Sequence, residues 1–141
     1  MADGDPEAID FLTLLRGVNE TAPFNRWAGF VVSAAGDGTA ELWLPWRAEL
    51  GQYSGFLHAA LVAGMIDTAC GFAAATVVGQ VLAAQCSVNF LSPAVGDEFV
   101  ARAVVVKAGK RQVFTTAELF AERDGASKLV ATGTTILAVP A

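Results

Sequence analysis

Leu57 to Val78 is an apolar run of 22 residues broken by a single charge, Asp67. No other stretch limits the possible folds as tightly. Strands are usually 3–10 residues long, so a run of this length is read as a helix. A helix apolar on every side needs protein or lipid all around it. Its length alone would admit a membrane span. Against that stands Asp67 near the centre, which would cost about 2.5–3.5 kcal/mol in a bilayer even on a lenient scale. Gly64, Gly71 and Ala73 to Ala75 are also small enough for close packing against protein. The run is therefore expected to be the core helix of a fold that does not cross a membrane.

The flanking segments supply cover for it. Pro6 to about Asn19 is expected to form an amphipathic helix, with Asp5 as N-cap, Pro6 in the first turn, and Ile9, Leu12, Leu15 and Val18 on the apolar stripe. Thr21 to Trp27 reads as a connection broken by Pro23. Phe30–Ala34 and Thr39–Leu44 flank Ala35-Gly36-Asp37-Gly38, a hairpin signal. Pro45 to Ser54 reads as a loop. After the apolar run, Ala83–Phe90 alternates, with Gln85, Ser87 and Asn89 on one side and Cys86, Val88 and Phe90 on the other. Glu98–Lys107, Arg111–Glu122 and Lys128–Val139 are strands rich in β-branched residues, joined by turn-like segments at Gly109 and Asp124-Gly125. The expected fold is α+β: two strands, a buried helix, then four strands in a meander, the curved sheet wrapping the helix. At 141 residues the chain reads as one domain, with 1–26 as N-terminal helix and connection and 27–141 as core.

Composition removes several classes of function. With 54% hydrophobic and 16% charged residues, disorder is excluded. A net charge of -5 argues against nucleic-acid binding through phosphate neutralisation. Cys70 and Cys86 fit no metal-ligand spacing and read as free thiols of a reducing compartment. Met1 to Asp5 lacks the basic and apolar regions of a signal peptide, so a cytoplasmic location is expected.

The residues with chemistry stand at the head of the apolar run: Gly55-Phe56-Leu57-His58-Ala59-Ala60, with Asp67 nine residues beyond the histidine. A helix start offers unpaired backbone N–H groups to a developing negative charge. A carboxylate in apolar surroundings is costly unless it has chemical work or a partner. Nine helical residues turn through ~900° and rise ~13.5 Å, so His58 and Asp67 point to opposite faces. One copy of the chain cannot bring both to one carbonyl, whereas two copies with antiparallel helices can.

Together with Gln52 to Ala60, the segments Asp67-Thr68-Ala69 and Asn89-Phe90-Leu91-Ser92-Pro93-Ala94-Val95-Gly96 resemble the hot-dog fold acyl-CoA thioesterases of the phenylacetate-pathway (PaaI-like) type. Those proteins typically carry G-x-x-H-G-G, an acid nine residues past the histidine, and F-L-x-P-A-x-x-G. The resemblance implies hydrolysis of an aryl- or medium-chain acyl-CoA, with coenzyme A present only as part of the substrate and no metal or other cofactor. It implies Asp67 as nucleophile or general base, the N–H of Ala59 as oxyanion donor, and Gln52 orienting water or the carbonyl. His58 joins this catalytic set, its side chain expected chiefly to fix the turn. A homodimer is implied, with a homotetramer as a dimer of dimers. Two departures stand out. Ala59 and Ala60 replace the two glycines, and Ala83 stands where some relatives have a hydroxyl residue.

Around this set, Tyr53, Phe56, Ala60 and Cys70 are expected to line the substrate pocket, with Trp43 and Trp46 near the approach. Taken by itself Cys70 reads first as a small core residue, since it lacks the cationic neighbour a reactive thiolate needs, and core packing fits each of the four aromatic residues equally well. Lys107, Lys110 and Arg111 are the candidates for gripping the coenzyme A phosphates, with Arg47 a weaker one. Two other functions fit the same fold: an enoyl-CoA hydratase using Asp67 and His58, and a sensor that binds acyl-CoA without turnover.

Overall fold

In a computed structural model the described residues are 9–141. Asp5 and Pro6 lie outside them. The first helix, α1, runs Phe11–Thr21 and is capped by Asp10, not Asp5: the Asp10 carboxylate accepts from the Thr13 N–H at 3.2 Å and the Thr13 hydroxyl at 2.7 Å. Leu15 is buried, but Ile9 precedes the helix and is exposed, as is Val18. A second helix, α2, covers Pro23–Ala28, in place of the expected connection. Pro23 opens it instead of breaking the chain, because a first-turn proline lacks only an N–H that would have no partner there.

Next comes a hairpin of β1 (Val31–Gly36) and β2 (Thr39–Pro45). Asp37 and Gly38 form its turn with φ of 52° and 77°, the left-handed pair that matches the twist of the strands. A single 3₁₀ turn at Ala48–Leu50 leads to the long helix α3, Ala59–Val78. The remaining strands are β3 (Leu82–Phe90), β4 (Glu98–Ala108), β5 (Gln112–Arg123) and β6 (Ala126–Ala138).

The six strands form one antiparallel sheet in the order β1-β2-β4-β5-β6-β3. This is the α+β hot-dog arrangement, with the sheet wrapped on α3 and extra helices at the N-terminal side. The expected four-strand meander is corrected: β4, β5 and β6 meander, while β3 takes the far edge beside β6. The segment after β3 cannot turn straight back into β4, because it is tied across the head of α3. There the Leu57 N–H donates to the Ala94 carbonyl at 3.1 Å, and the Asp97 N–H to the Glu122 carbonyl at 2.8 Å.

One face of α3 is driven into the sheet through Leu61, Val62, Met65, Ile66, Ala69, Cys70, Ala73 and Ala74. The opposite stripe, including Gly64, Asp67, Thr68, Gly71 and Phe72, is only half-buried. The helix is therefore not enclosed by its own chain. Contact with β6 is closest at Gly133, where a Cβ would lie 2.7 Å from the Ile66 Cγ2 and 2.9 Å from the Ser87 carbonyl oxygen. Gly133→Ala should thus destabilise the protein by about 1–3 kcal/mol, as overpacking does, and urea unfolding measures it directly.

Candidate active site

The head of α3 is held by a short, densely bonded loop. The Gln52 N–H donates to the Phe56 carbonyl at 2.8 Å, and the Gly55 N–H to the Gln52 carbonyl at 3.0 Å. The Gln52 side-chain carbonyl also accepts from the Ser54 N–H. Gly55 has φ 85°, a conformation that favours glycine, and reverses the chain toward the helix. The His58 N–H then donates to the Leu50 carbonyl at 3.0 Å. His58 is the N-cap of α3, with φ -63° and ψ 141°, and its Nδ1 accepts from the Ala60 N–H at 2.9 Å.

This capping decides which donor remains. The Leu61 and Val62 N–H groups both reach the His58 carbonyl, at 2.9 and 3.2 Å. With Ala60 bonded to the imidazole, the Ala59 N–H is the one first-turn donor without an acceptor among the described residues. It stands at the positive end of a 20-residue helix. Because Nδ1 is an acceptor, a neutral His58 carries its proton on Nε2 and offers a donor there, not a base. Gln52, Tyr53, Phe56, His58 and Ala59 all line one cleft of about 510 Å³, closed on its far side by the Phe90–Ala94 segment.

Asp67 does not open into that cleft. It lies in a separate, larger cavity of about 690 Å³ between α1 and α3. No ion pair or side-chain hydrogen bond reaches its carboxylate among the described residues. Burial among apolar neighbours alone raises its pKa above the ordinary aspartate range. A half-buried acid without a partner is not a structural ion pair, and its raised pKa makes it a stronger base than an ordinary aspartate. Ala83 lines the same cavity, so the position that lacks a hydroxyl is beside the acid.

The family model described as "Thioesterase superfamily" matches residues 54–128, just over half the chain and the span that holds the helix head, Asp67 and strands β3 to β5. The chain belongs to the thioesterase superfamily. It is similar to a thioesterase family protein from Silicibacter pomeroyi at 36% identity, covering 91% of this chain and 96% of that one with a TM-score of 0.87. A conserved protein from Pseudomonas aeruginosa is 28% identical over 86% of this chain and 96% of its own, with a TM-score of 0.78. A mutant of the phenylacetic acid degradation protein PaaI from Thermus thermophilus is 26% identical over 84% and 100%, with a TM-score of 0.74. No curated protein matches. The chain is accordingly a thioester hydrolase of the hot-dog type, and the PaaI-like proteins are one distant branch among its relatives.

In this thioesterase several other residues fall away from the two cavities. Cys70, expected against the substrate, is fully buried in the core and lines neither cavity. Burial pushes its thiol up, opposed by bonds to Thr115 and Thr135, so it is an inert core thiol. Arg47 is engaged by α2: it donates to the Trp27 and Ala28 carbonyls and stacks 5.2 Å from the Trp27 ring. The Trp43 indole donates to Glu98 at 2.9 Å, and Trp46 packs edge-on against Phe99. Tyr53 is fully exposed at the rim of the cleft. Lys107, Lys110 and Arg111 are exposed around the β4–β5 turn. That turn is near the C-terminal end of α3, where a Cβ on Gly38 would lie 3.5 Å from both Val77 and Val105. The three are thus at the C-terminal end of α3, remote from His58, and line neither cavity. Sequence reading missed Asn19, whose buried amide donates to the Phe30 carbonyl at 2.8 Å and accepts from Asn25, locking α1 and α2 onto β1. Two asparagines six apart carry no signal of that role.

Two outcomes follow. His58→Ala should lose about 0.5–2 kcal/mol by leaving the Ala60 N–H uncapped, while His58→Asn, which caps equally well, should restore it in denaturant unfolding. Burial favours neutral Asp67 in the fold, so between the ordinary aspartate pKa and its raised value the folded state binds more protons than the unfolded chain. Wild-type stability should therefore fall relative to Asp67→Asn as pH rises through that window, leaving the variant with the higher melting temperature at neutral pH.

Proposed function

We propose that two copies of this chain pair with antiparallel α3 helices, so that the Ala59 N–H of one protomer and Asp67 of the other face a single acyl-CoA carbonyl. The observation that carries this reading is the division of the machinery. The free amide and the unpaired acid are ~12 Å apart along one rigid helix and open into different cavities. The half-buried stripe of α3 around Asp67 is the face such a partner would cover. The free edge of β3 points the same way, for the strand is exposed along almost its whole length and presents Leu82 and Phe90 at 73% and 56% exposure. Edge strands of this kind invite pairing. Antiparallel β3–β3 pairing would continue the sheet and set the helices side by side. A dimer of dimers would then use the outer sheet face, where Val104, Val106 and Phe114 are exposed.

In the proposed reaction the thioester carbonyl points at the Ala59 N–H, which stabilises the oxyanion as it forms. Asp67 of the partner either attacks the carbonyl, expelling the coenzyme A thiolate and leaving a mixed anhydride that water hydrolyses to the acid, or takes a proton from the water that attacks; in both the thiolate leaves and is protonated. Gln52 shapes the turn that presents His58 and flanks the carbonyl site. Lys107, Lys110 and Arg111, an exposed basic group around one turn, are proposed to hold the coenzyme A phosphates. The substrate is an aryl- or medium-chain acyl-CoA, in the manner of the PaaI-like branch, and the protein is cytoplasmic. Hydration of an enoyl thioester is less well supported, since it needs a histidine base and the His58 Nδ1 is occupied by the helix. A sensor without turnover would leave an unpaired buried acid without purpose.

Thiol release from acyl-CoA, followed with a chromogenic thiol reagent, tests the reading. Asp67→Asn should lower kcat at least ~10²-fold with the dimer intact by light scattering. Ala59→Pro should lower it by ~10²–10³-fold, the value of one oxyanion donor. Proline at the first helical position removes the N–H but not the helix, and the His58 ψ of 141° already suits a following proline. A change below about threefold in either variant, against the ~10²-fold expected of such a group, would remove it from its role.

A further inference from the structure

The cavity that holds Asp67 has walls no hydrolytic step requires. Its lining is mainly apolar, through Leu14, Val18, Phe72, Val81, Leu82 and Leu137, with four uncharged polar residues, one carboxylate, and no lysine or arginine. At about 690 Å³ it is within the range of cavities that enclose a drug-sized ligand. On α1, Leu14 and Val18 are spaced i, i+4 and face it while remaining 52% and 45% exposed. An apolar helical pair left half open beside an unpaired acid requires an apolar occupant that the acid can act upon.

We infer that this cavity receives the acyl group, and that α1 makes the enzyme selective for an uncharged aliphatic chain of medium length. The inference rests on the dimeric thioesterase reading and narrows its substrate. A dicarboxylic acyl group is excluded, because its free carboxylate would be buried beside Asp67 with no cation to pair it. A short acyl group would leave most of the volume empty. An aryl group would meet a single aromatic wall residue, Phe72, among flexible aliphatic ones. The coenzyme A phosphates are excluded from this cavity by the same lack of cations.

The test is kcat/KM for butyryl-, hexanoyl-, octanoyl-, decanoyl-, phenylacetyl- and succinyl-CoA with wild type, Leu14→Trp, Val18→Trp and Leu14→Ala. In the wild type each added CH₂ should raise kcat/KM about fourfold up to about decanoyl, the effect of burying one methylene. Phenylacetyl-CoA should fall below octanoyl-CoA, and succinyl-CoA below butyryl-CoA. Either tryptophan should cut the decanoyl-to-butyryl ratio at least about tenfold by filling the cavity. Because Leu14 and Val18 are partly exposed, the variants should keep the wild-type circular dichroism. Leu14→Ala, which enlarges the cavity and cannot overpack it, should shift the preferred chain upward by one or two carbons. A flat chain-length profile, a phenylacetyl preference, or a ratio untouched by all three substitutions would overturn the inference. If Asp67→Asn still abolished turnover in that case, the acid's role would stand and the cavity would belong to the partner subunit. If Asp67→Asn left every substrate unaffected, the catalytic reading would fall, and the acyl cavity with it.

Discussion

A straight helix cannot bend to bring together two groups nine residues apart, and α3 places that limit on everything else in this molecule. His58 caps its first turn so that three of the four leading N–H groups are bonded locally and only that of Ala59 is left. Asp67 is two and a half turns beyond His58, on the opposite side from it. The rigidity that presents each group well also keeps them apart. A single chain therefore holds the free amide and the unpaired acid in separate cavities.

The fold exists to hold that helix against one sheet while leaving its other face available. Small residues make this possible. Ile66 sits against Gly133, the Phe24 ring packs over Gly64, and alanines at 69, 73 and 74 let β4, β5 and β6 approach the helix. The Asp67 stripe gains partial cover from α1 and α2, enough to desolvate the acid without supplying a counter-charge. Desolvation without neutralisation raises the pKa of this carboxylate and makes its charged form destabilising to the folded state.

Much of this is legible in the chain itself. The apolar run, its lone acid and the glycine before His58 locate α3 to within two residues, and the opposed faces follow from helical geometry alone. The hairpin at Asp37-Gly38 and the three long strands are equally plain, since their signals are local. What cannot be read depends on distant contacts. Nothing in Ala83–Phe90 says that it pairs with β6 instead of β4, because strand alternation is blind to the neighbour's identity. Pro23 reads as a break, although its missing N–H only marks a helix start. Cys70 is one turn from Asp67 and so reads as near the substrate, yet that turn rotates it into the core beside Thr115 and Thr135. The membership in the thioesterase superfamily agrees with the motifs that carry the resemblance, while the PaaI-like branch is narrower than the relatives themselves.

Each working site is held to take its amide from one protomer and its acid from the other, and subunit mixing probes that division without an intermediate step. Asp67→Asn and Ala59→Pro protomers, carrying different tags, are co-refolded and the mixed dimers quantified by native mass spectrometry. Each variant alone should be nearly inactive. Random pairing makes about half the dimers mixed, each with one intact site of two, so activity should return to about a quarter of wild type. Mixed dimers that form in the expected proportion and yet remain as inactive as either parent would mean that the amide and the acid do not meet across the interface.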